Sequence, residues 1–206
     1  MVDHPDISQE TKNIVNAYAR EHKYKPNALA LSLRTNNTKT IGVILPQIVH
    51  YFFSSVLSGI EDEAEKGGYR VIICQSNENY EKEVKGAQAL LEARVCGVLA
   101  SVAKTTTIYN HFQELIDSDI PMVFFDRICT GILTDRVVVD DYAGVCSAVE
   151  YLIRSGCRRI AFFGSPSHLA ISNNRRMGYE DAFGENGFTV ETGLITICVR
   201  YTDALR

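Results

Sequence analysis

No stretch of this chain approaches the roughly 18 consecutive apolar residues that a membrane span requires. The start Met1-Val2-Asp3-His4-Pro5 has neither a basic segment nor an apolar one of the kind that directs export, so a protein that stays in the cytoplasm is expected. The six cysteines form no CxxC pair and most stand inside apolar runs such as Val71-Ile72-Ile73-Cys74, which reads as small buried hydrophobes in a reducing compartment. The five histidines at positions 4, 22, 50, 111 and 168 are too scattered for HxH or HExxH spacing, which argues against a zinc site and, with nothing else pointing to one, against any cofactor. Neither GxGxxG nor GxxxxGK[ST] occurs, and no GxSxG elbow, so dinucleotide, nucleoside-triphosphate and serine-hydrolase chemistry are disfavoured and the chain does not read as an enzyme.

What is present is a soluble globular composition. At 206 residues, 46% apolar and 22% charged, the chain is long enough for one or two domains with real cores. Charge is unevenly spread: residues 1 to 40 hold six Lys/Arg against four Asp/Glu, and residues 41 to 206 hold fifteen against twenty-one. A polyanion is therefore attracted to the front and repelled by the body, a weak pointer to nucleic acid.

Ser8 is placed to cap a short helix that runs to about His22, with Ile14, Val15 and Tyr18 as a narrow apolar stripe that the helix cannot bury alone, so it is expected either to pack on another element or to fray. Pro26 forces a turn, and Asn27 can cap a second short helix through Leu33. From Thr40 onward short apolar runs alternate with amphipathic helices: strands near 41–45, 69–74, 95–100, 120–125, 137–139, 160–163 and 194–199, and helices near 53–66, 79–93, 107–118, 145–153 and 175–186. Such an alternation predicts an α/β fold of βαβ units, a parallel sheet with helices on both faces. Ligands of these sheets bind beyond the carboxyl ends of the strands, which nominates the loops at 46–54, 75–80, 101–107, 126–131, 140–142 and 164–175.

Those loops carry aromatic and charged groups together: Tyr51, Phe52 and Phe53, then Asp126-Arg127, Asp140-Asp141 and Arg175. Aromatic rings stack on the C–H faces of a sugar, while carboxylates and guanidinium forks match its hydroxyls. Each also has a plainer explanation: Phe53 as a core residue, Asp126-Arg127 as a local pair, Arg175 as part of a solvated helix face.

The segments Tyr24-x-Pro26-Asn27, Thr40-Ile41-Gly42-Val43-Ile44, Phe52-Phe53, Gly59-Ile60-Glu61, Gly68-Tyr69, Ile120-Pro121, Asp126-Arg127, Gly156-Cys157-Arg158-Arg159-Ile160-Ala161 and Arg175-x-x-Gly178-Tyr179 resemble, in order and spacing, the lactose-repressor (LacI/GalR) family of transcription regulators. The resemblance covers residues 3 to 198. It implies a homodimeric, DNA-binding repressor with a helix-turn-helix headpiece, a hinge helix, and a core of the periplasmic-binding-protein type that senses a small carbohydrate. The implied division is the last headpiece helix at 1–23, the hinge at 24–40, a first effector subdomain at 41–139 and a second at 140–206. Phe52, Phe53, Asp126, Arg127, Asp140 and Arg175 match effector-binding positions. Ser8 and Thr11 match positions near the operator backbone, and Asn27, Ala30 and Leu33 match the hinge, with Leu33 as a minor-groove wedge. The helices from Phe53 and Asn79 and the strand from Tyr69 are the implied dimer surface.

Departures from the family are Leu31 where an arginine is frequent, His50-Tyr51 where Asn-Pro is frequent, and Asp140-Asp141 in place of an Asp-Asn pair. By the same resemblance the chain starts after the recognition helix and stops within the second subdomain, so exposed apolar sheet surface is expected there. The rival from another class is a stand-alone sugar-binding module of the periplasmic type, and a third is an α/β enzyme with a convergent nucleophile and base.

Overall fold

The computed structural model describes residues 6–24 and 38–198 and divides the chain into two units, Met1–Lys39 and Thr40–Arg206. In the first, helix α1 (Gln9–Glu21) opens on Ser8, whose hydroxyl accepts from the Thr11 N–H at 3.2 Å. Glu10 in the first turn and Arg20 in the last both complement the helix dipole. Ile14, Val15 and Tyr18 are exposed; the predicted stripe exists, and the helix is regular without burying it. Asn27, Ala30 and Leu33, with the second short helix, lie outside the described residues.

The second unit holds β1 (Thr40–Leu45), α2 (Tyr51–Lys66), β2 (Arg70–Gln75), α3 (Tyr80–Glu92), β3 (Gly97–Ala100), α4 (Asn110–Asp117), β4 (Met122–Phe125) and β5 (Asp135–Val137). These five strands form one parallel sheet in the order β2-β1-β3-β4-β5. Helix α5 (Asp141–Arg154), β6 (Phe162–Gly164), α6 (Ala170–Glu185) and β7 (Ile195–Ile197) follow, with β6 and β7 paired in parallel as a separate two-stranded sheet.

The period-two alternation of the strands decides which helix covers which face. Val43 and Leu45 of β1 and Phe125 of β4 turn to α2 and pack on its Phe53 and Leu57. Ile44, Val98, Ala100, Met122 and Phe124 turn the other way, onto Leu90 of α3 and Phe112 and Leu115 of α4. The two-stranded sheet has one such cluster, where Phe162 and Ile195 meet Val149 and Ile153 of α5 and Tyr179, Ala182 and Phe183 of α6. Gly178 permits this: a Cβ there would stand 2.5 Å from the Tyr142 carbonyl oxygen.

One closure recurs at the helix ends. A residue in the left-handed region follows the last turn (Gly68, Arg94, Asp119, Gly156, Gly187). The N–H of the next residue then reaches back to a carbonyl five positions earlier, as in Tyr69 to Ala64, Val95 to Leu90 and Ile120 to Leu115. This satisfies terminal carbonyls and turns the chain toward the next strand. It also corrects the reading of the cysteines. Cys157 sits in that position after α5 and is exposed, whereas Cys129 is buried and Cys74, Cys96, Cys146 and Cys198 are intermediate; all six are free thiols.

Boundaries differ from expectation in two places that matter. Helix α6 starts five residues before Arg175, at Ala170, because its start has no capping side chain to announce it. Strand β5 is Asp135–Val137 rather than the valine run at 137–139, since β4 ends at Phe125, the partner of Val137, leaving Val138 and Val139 exposed.

Candidate functional site

Loops from the carboxyl ends of β1, β4, β5 and β6 surround a cavity of about 660 Å³. Its first wall is sheet β2-β1-β3-β4-β5 with the start of α2, and its second is β6 with the starts of α5 and α6. A direct link crosses between the walls, where His168 Nε2 lies 2.8 Å from the Lys104 carbonyl oxygen.

Phe52 and Phe53 enter from the first turn of α2 with different exposures. Phe53 is 4% exposed and belongs to the core, its ring edge-on to Phe125, so the plainer reading and the cavity reading both hold for it. Phe52 is half exposed, edge-on to Phe53 at 5.1 Å, and offers a free ring at the cavity mouth.

Asp126 stands just past β4 in a left-handed conformation (φ 58°), its N–H held by the Val137 carbonyl. Its carboxylate is largely buried, with Ser101 Oγ as donor at 3.5 Å and Arg127 Nε at 3.8 Å. Burial pushes its pKa above the ordinary carboxylate value; Arg127 and Arg175 act against that, and Asp141 adds to it. A carboxylate so placed gains by accepting hydrogen bonds from a ligand.

Arg127 is occupied. Its Nη1 donates to both Glu78 oxygens at 2.8 and 2.9 Å, and its guanidinium lies 5.7 Å from the Phe53 ring centre. Glu78 also accepts from the Lys104 N–H at 2.7 Å, so this pair ties together the loops after β2, β3 and β4. Arg175 lines the cavity from α6 and donates to Asp141 at 2.7 Å.

The adjacent aspartates divide their roles by helix phase. Asp140 caps α5, accepting from the Ala143 N–H at 2.9 Å, and does not line the cavity; Asp141, one residue on, does. Phe52, Phe53, Asp126, Arg127 and Arg175 are thus brought together and Asp140 is set to structural work. Ser8 and Thr11 share the start of α1, their hydroxyls 2.9 Å apart.

Sequence reasoning placed Lys104, Ser165 and Ser172 within the binding loops without singling them out, and named His50 only as a departure from the family; all four line the cavity. It missed the buried cluster behind the loop after β3. There Glu83, fully buried on α3, accepts from the Ala103 N–H (2.6 Å) and Thr106 Oγ1 (2.7 Å) and lies 3.1 Å from His111 Nε2. Only a charged residue on the apolar face of α3 could have signalled it.

Comparison with known proteins places this arrangement. Residues 38–205 match the family described as periplasmic binding proteins and sugar binding domain of LacI family. The HTH-type transcriptional repressor PurR of Vibrio atlanticus is 31% identical over 191 residues, 92% of this chain and 56% of that protein. The ribose operon repressor of Bacillus subtilis is 32% identical over 176 residues, 85% of this chain and 52% of its own length. The chain thus spans a little over half of the curated relatives it matches. Among solved structures, the transcription regulator CcpA of Lactococcus lactis superposes with a TM-score of 0.71 at 25% identity, over 77% of this chain and 58% of that one. A periplasmic binding protein/LacI transcriptional regulator from Alkaliphilus metalliredigens, complexed with D-xylulofuranose, gives 0.65 at 28% identity, over 79% of this chain and 56% of that one.

Proposed function

We infer the function from one premise: the chain belongs to the family of periplasmic binding proteins and sugar-binding domains of LacI-type regulators. It is the effector-sensing part of a cytoplasmic, DNA-binding transcription regulator, a repressor whose operator affinity a small sugar-like molecule controls. The observation that carries this is the cavity between two walls, with an exposed aromatic ring (Phe52), a buried carboxylate (Asp126) and a guanidinium (Arg175) turned to one space. Phe52 stacks on the sugar, Asp126 accepts from its hydroxyls and Arg175 donates to them. Phe53 and Arg127 hold the shape of the wall, and Asp140 supports it as a helix cap.

Effector binding bridges the two walls and favours their closure, because a ligand that touches both has more contacts in the closed form. In the whole protein that closure is passed to a hinge containing Asn27, Ala30 and Leu33 and to a headpiece in which Ser8 and Thr11 approach operator phosphates. The protein acts as a homodimer through α2, β2 and α3, and performs no catalysis. Sedimentation of dilute protein should give a dimer.

The test is fluorescence anisotropy of the whole regulator on palindromic sites from its own upstream region, with and without a panel of sugars. Salt-dependent binding that one sugar abolishes or induces is expected. Sugar binding with no operator binding at low salt would leave a plain sugar-binding module. Turnover of a sugar would sink both readings in favour of an enzyme.

A further inference from the structure

Arg127 stands near two carboxylates and is hydrogen-bonded to one of them. Its Nη1 donates to both oxygens of Glu78, at 2.8 and 2.9 Å. Its Nε lies 3.8 Å from Asp126 Oδ2, beyond hydrogen-bond reach. Asp126 is left with one hydrogen bond among the described residues, from Ser101 at 3.5 Å, although only 17% of its side chain is exposed. A carboxylate can accept about four such bonds. Most of that capacity is unspent in a residue that lines the cavity.

Glu78 belongs to the loop after β2 and is not among the residues lining the cavity. It and Asn77 are both left-handed (φ 56° and 53°), a conformation that a glutamate seldom adopts. Contacts offset the strain: the Glu78 carboxylate also accepts from the Lys104 N–H at 2.7 Å, and its carbonyl accepts from Thr105 Oγ1 at 3.0 Å. The loop so fixed sets a second carboxylate in competition with Asp126 for one guanidinium. The surroundings are dry enough for the choice to matter, with the Arg127 side chain 14% exposed and that of Glu78 23%. Without the Glu78 charge, a guanidinium this secluded needs another anion. A shift of roughly 1 Å would bring its Nε within hydrogen-bond distance of Asp126.

We propose that Glu78 is a positioning residue for effector binding: it holds the Arg127 guanidinium off the Asp126 carboxylate and so keeps that carboxylate free to accept from the effector. This deepens the sugar-sensing reading and rests on it. Glu78 acts through Arg127 and touches no ligand itself.

The test compares the 206-residue chain with Glu78→Gln and with the double variant Glu78→Gln/Arg127→Met, each checked for folding by circular dichroism. Glutamine has the same shape and keeps an oxygen for the Lys104 N–H, so it removes the charge and leaves that tie. Titration calorimetry with D-ribose, D-glucose and D-fructose reads sugar affinity across pH, and carbon-detected NMR follows the Asp126 carboxyl in sugar-free protein, its signal assigned with Asp126→Asn. In Glu78→Gln the best-bound sugar should lose roughly tenfold in affinity. Asp126 should titrate at lower pH there, because Arg127 has moved closer and opposes the rise that burial causes, and Arg175 and Asp141, the other charges facing it, are unchanged. The acid fall of sugar affinity should move down in pH with it. The double variant should recover affinity to within about threefold of the parent chain and return the Asp126 titration to its original value or above. Unchanged affinity and titration in Glu78→Gln would overturn the proposal. So would a loss that the double variant does not recover, which would make Glu78 a prop for its loop rather than a keeper of Arg127. No sugar bound by any form, with the Asp126 titration shifting as expected, would keep the hold of Glu78 on Asp126 and remove the sugar reading; no binding and no shift would remove both.

Discussion

Sheet β2-β1-β3-β4-β5 and sheet β6-β7 repeat the same unit of parallel strand and returning helix, yet the first is covered on both faces and the second on one. In β1, Val43, Ile44 and Leu45 are all 1% exposed or less, because α2 lies on one side and α3 with α4 on the other. In β6, Phe162 is packed while its neighbour Phe163 is 62% exposed, and Ile197 of β7 is 43% exposed. The expected apolar sheet surface is therefore present among the described residues of the second wall. The difference teaches how the cavity is assembled: a frame buried on both faces holds the carboxylate and the aromatic pair, and a helix pair pressed together at Gly178 holds the opposing wall.

The strongest way to test that contrast is to damage the frame from inside. Glu83→Leu removes the acceptor for Ala103 N–H and Thr106 and the neighbour of His111, leaving several buried polar groups unsatisfied at about 1–3 kcal/mol each. Urea unfolding should show a loss on the order of 3 kcal/mol or more; a loss under about 1 kcal/mol would mean the frame does not depend on this cluster. The second wall is probed by Gly178→Ala, whose new methyl meets backbone and cannot be accommodated by a rotamer change, at a cost of about 1–3 kcal/mol. Gly42→Ala in the frame should cost less, since its new methyl meets the Leu90 side chain, which can swing aside. Equal losses at the two glycines would erase the distinction.

Binding comes next in size. Asp126→Asn should weaken sugar affinity by roughly ten- to a hundredfold in calorimetry, the range for a hydrogen bond to a charged group. The pH dependence follows from the same carboxylate. Burial raises its pKa in the folded protein, so the folded state holds this proton more tightly than the unfolded one. The stability this contributes is present below the ordinary carboxylate pKa of about 3.9 and is lost as pH rises through the raised folded value. Sugar affinity runs the opposite way, falling as pH drops through that value and the acceptor is protonated. Both trends should vanish in Asp126→Asn, and persistence of either would assign it to another group. The smallest effect is chemical. Cys157 should react with a thiol reagent well before Cys129, whose burial also raises its pKa, and its modification should leave the urea midpoint unchanged.

Much of the frame was legible because its signals are local. Apolar runs, helical spacing and left-handed closures at residues such as Gly68 and Gly156 depend on neighbours within one turn, and the elements fall where these signals put them to within a few residues. Helix α6 was read late because no side chain caps it, and an uncapped start leaves no mark in sequence. The cavity was legible as a set of loops, since the carboxyl ends of parallel strands must lie together. Within it, Asp140 and Asp141 are the same residue type one position apart, and only the phase at which α5 begins makes the first a cap and the second a cavity residue.

The order of residues alone determined a parallel α/β architecture, the loops in which binding must lie and the family resemblance, because strand alternation, helical periodicity and motif spacing are written along the chain. Tertiary structure alone decided that Glu83 would meet His111 across 28 positions, that Arg127 would be taken by Glu78, and that Arg175 would be taken by Asp141. These depend on which groups the folded backbone brings within hydrogen-bond reach, and a distance of about 3 Å between residues far apart in sequence is set by the packing of whole elements.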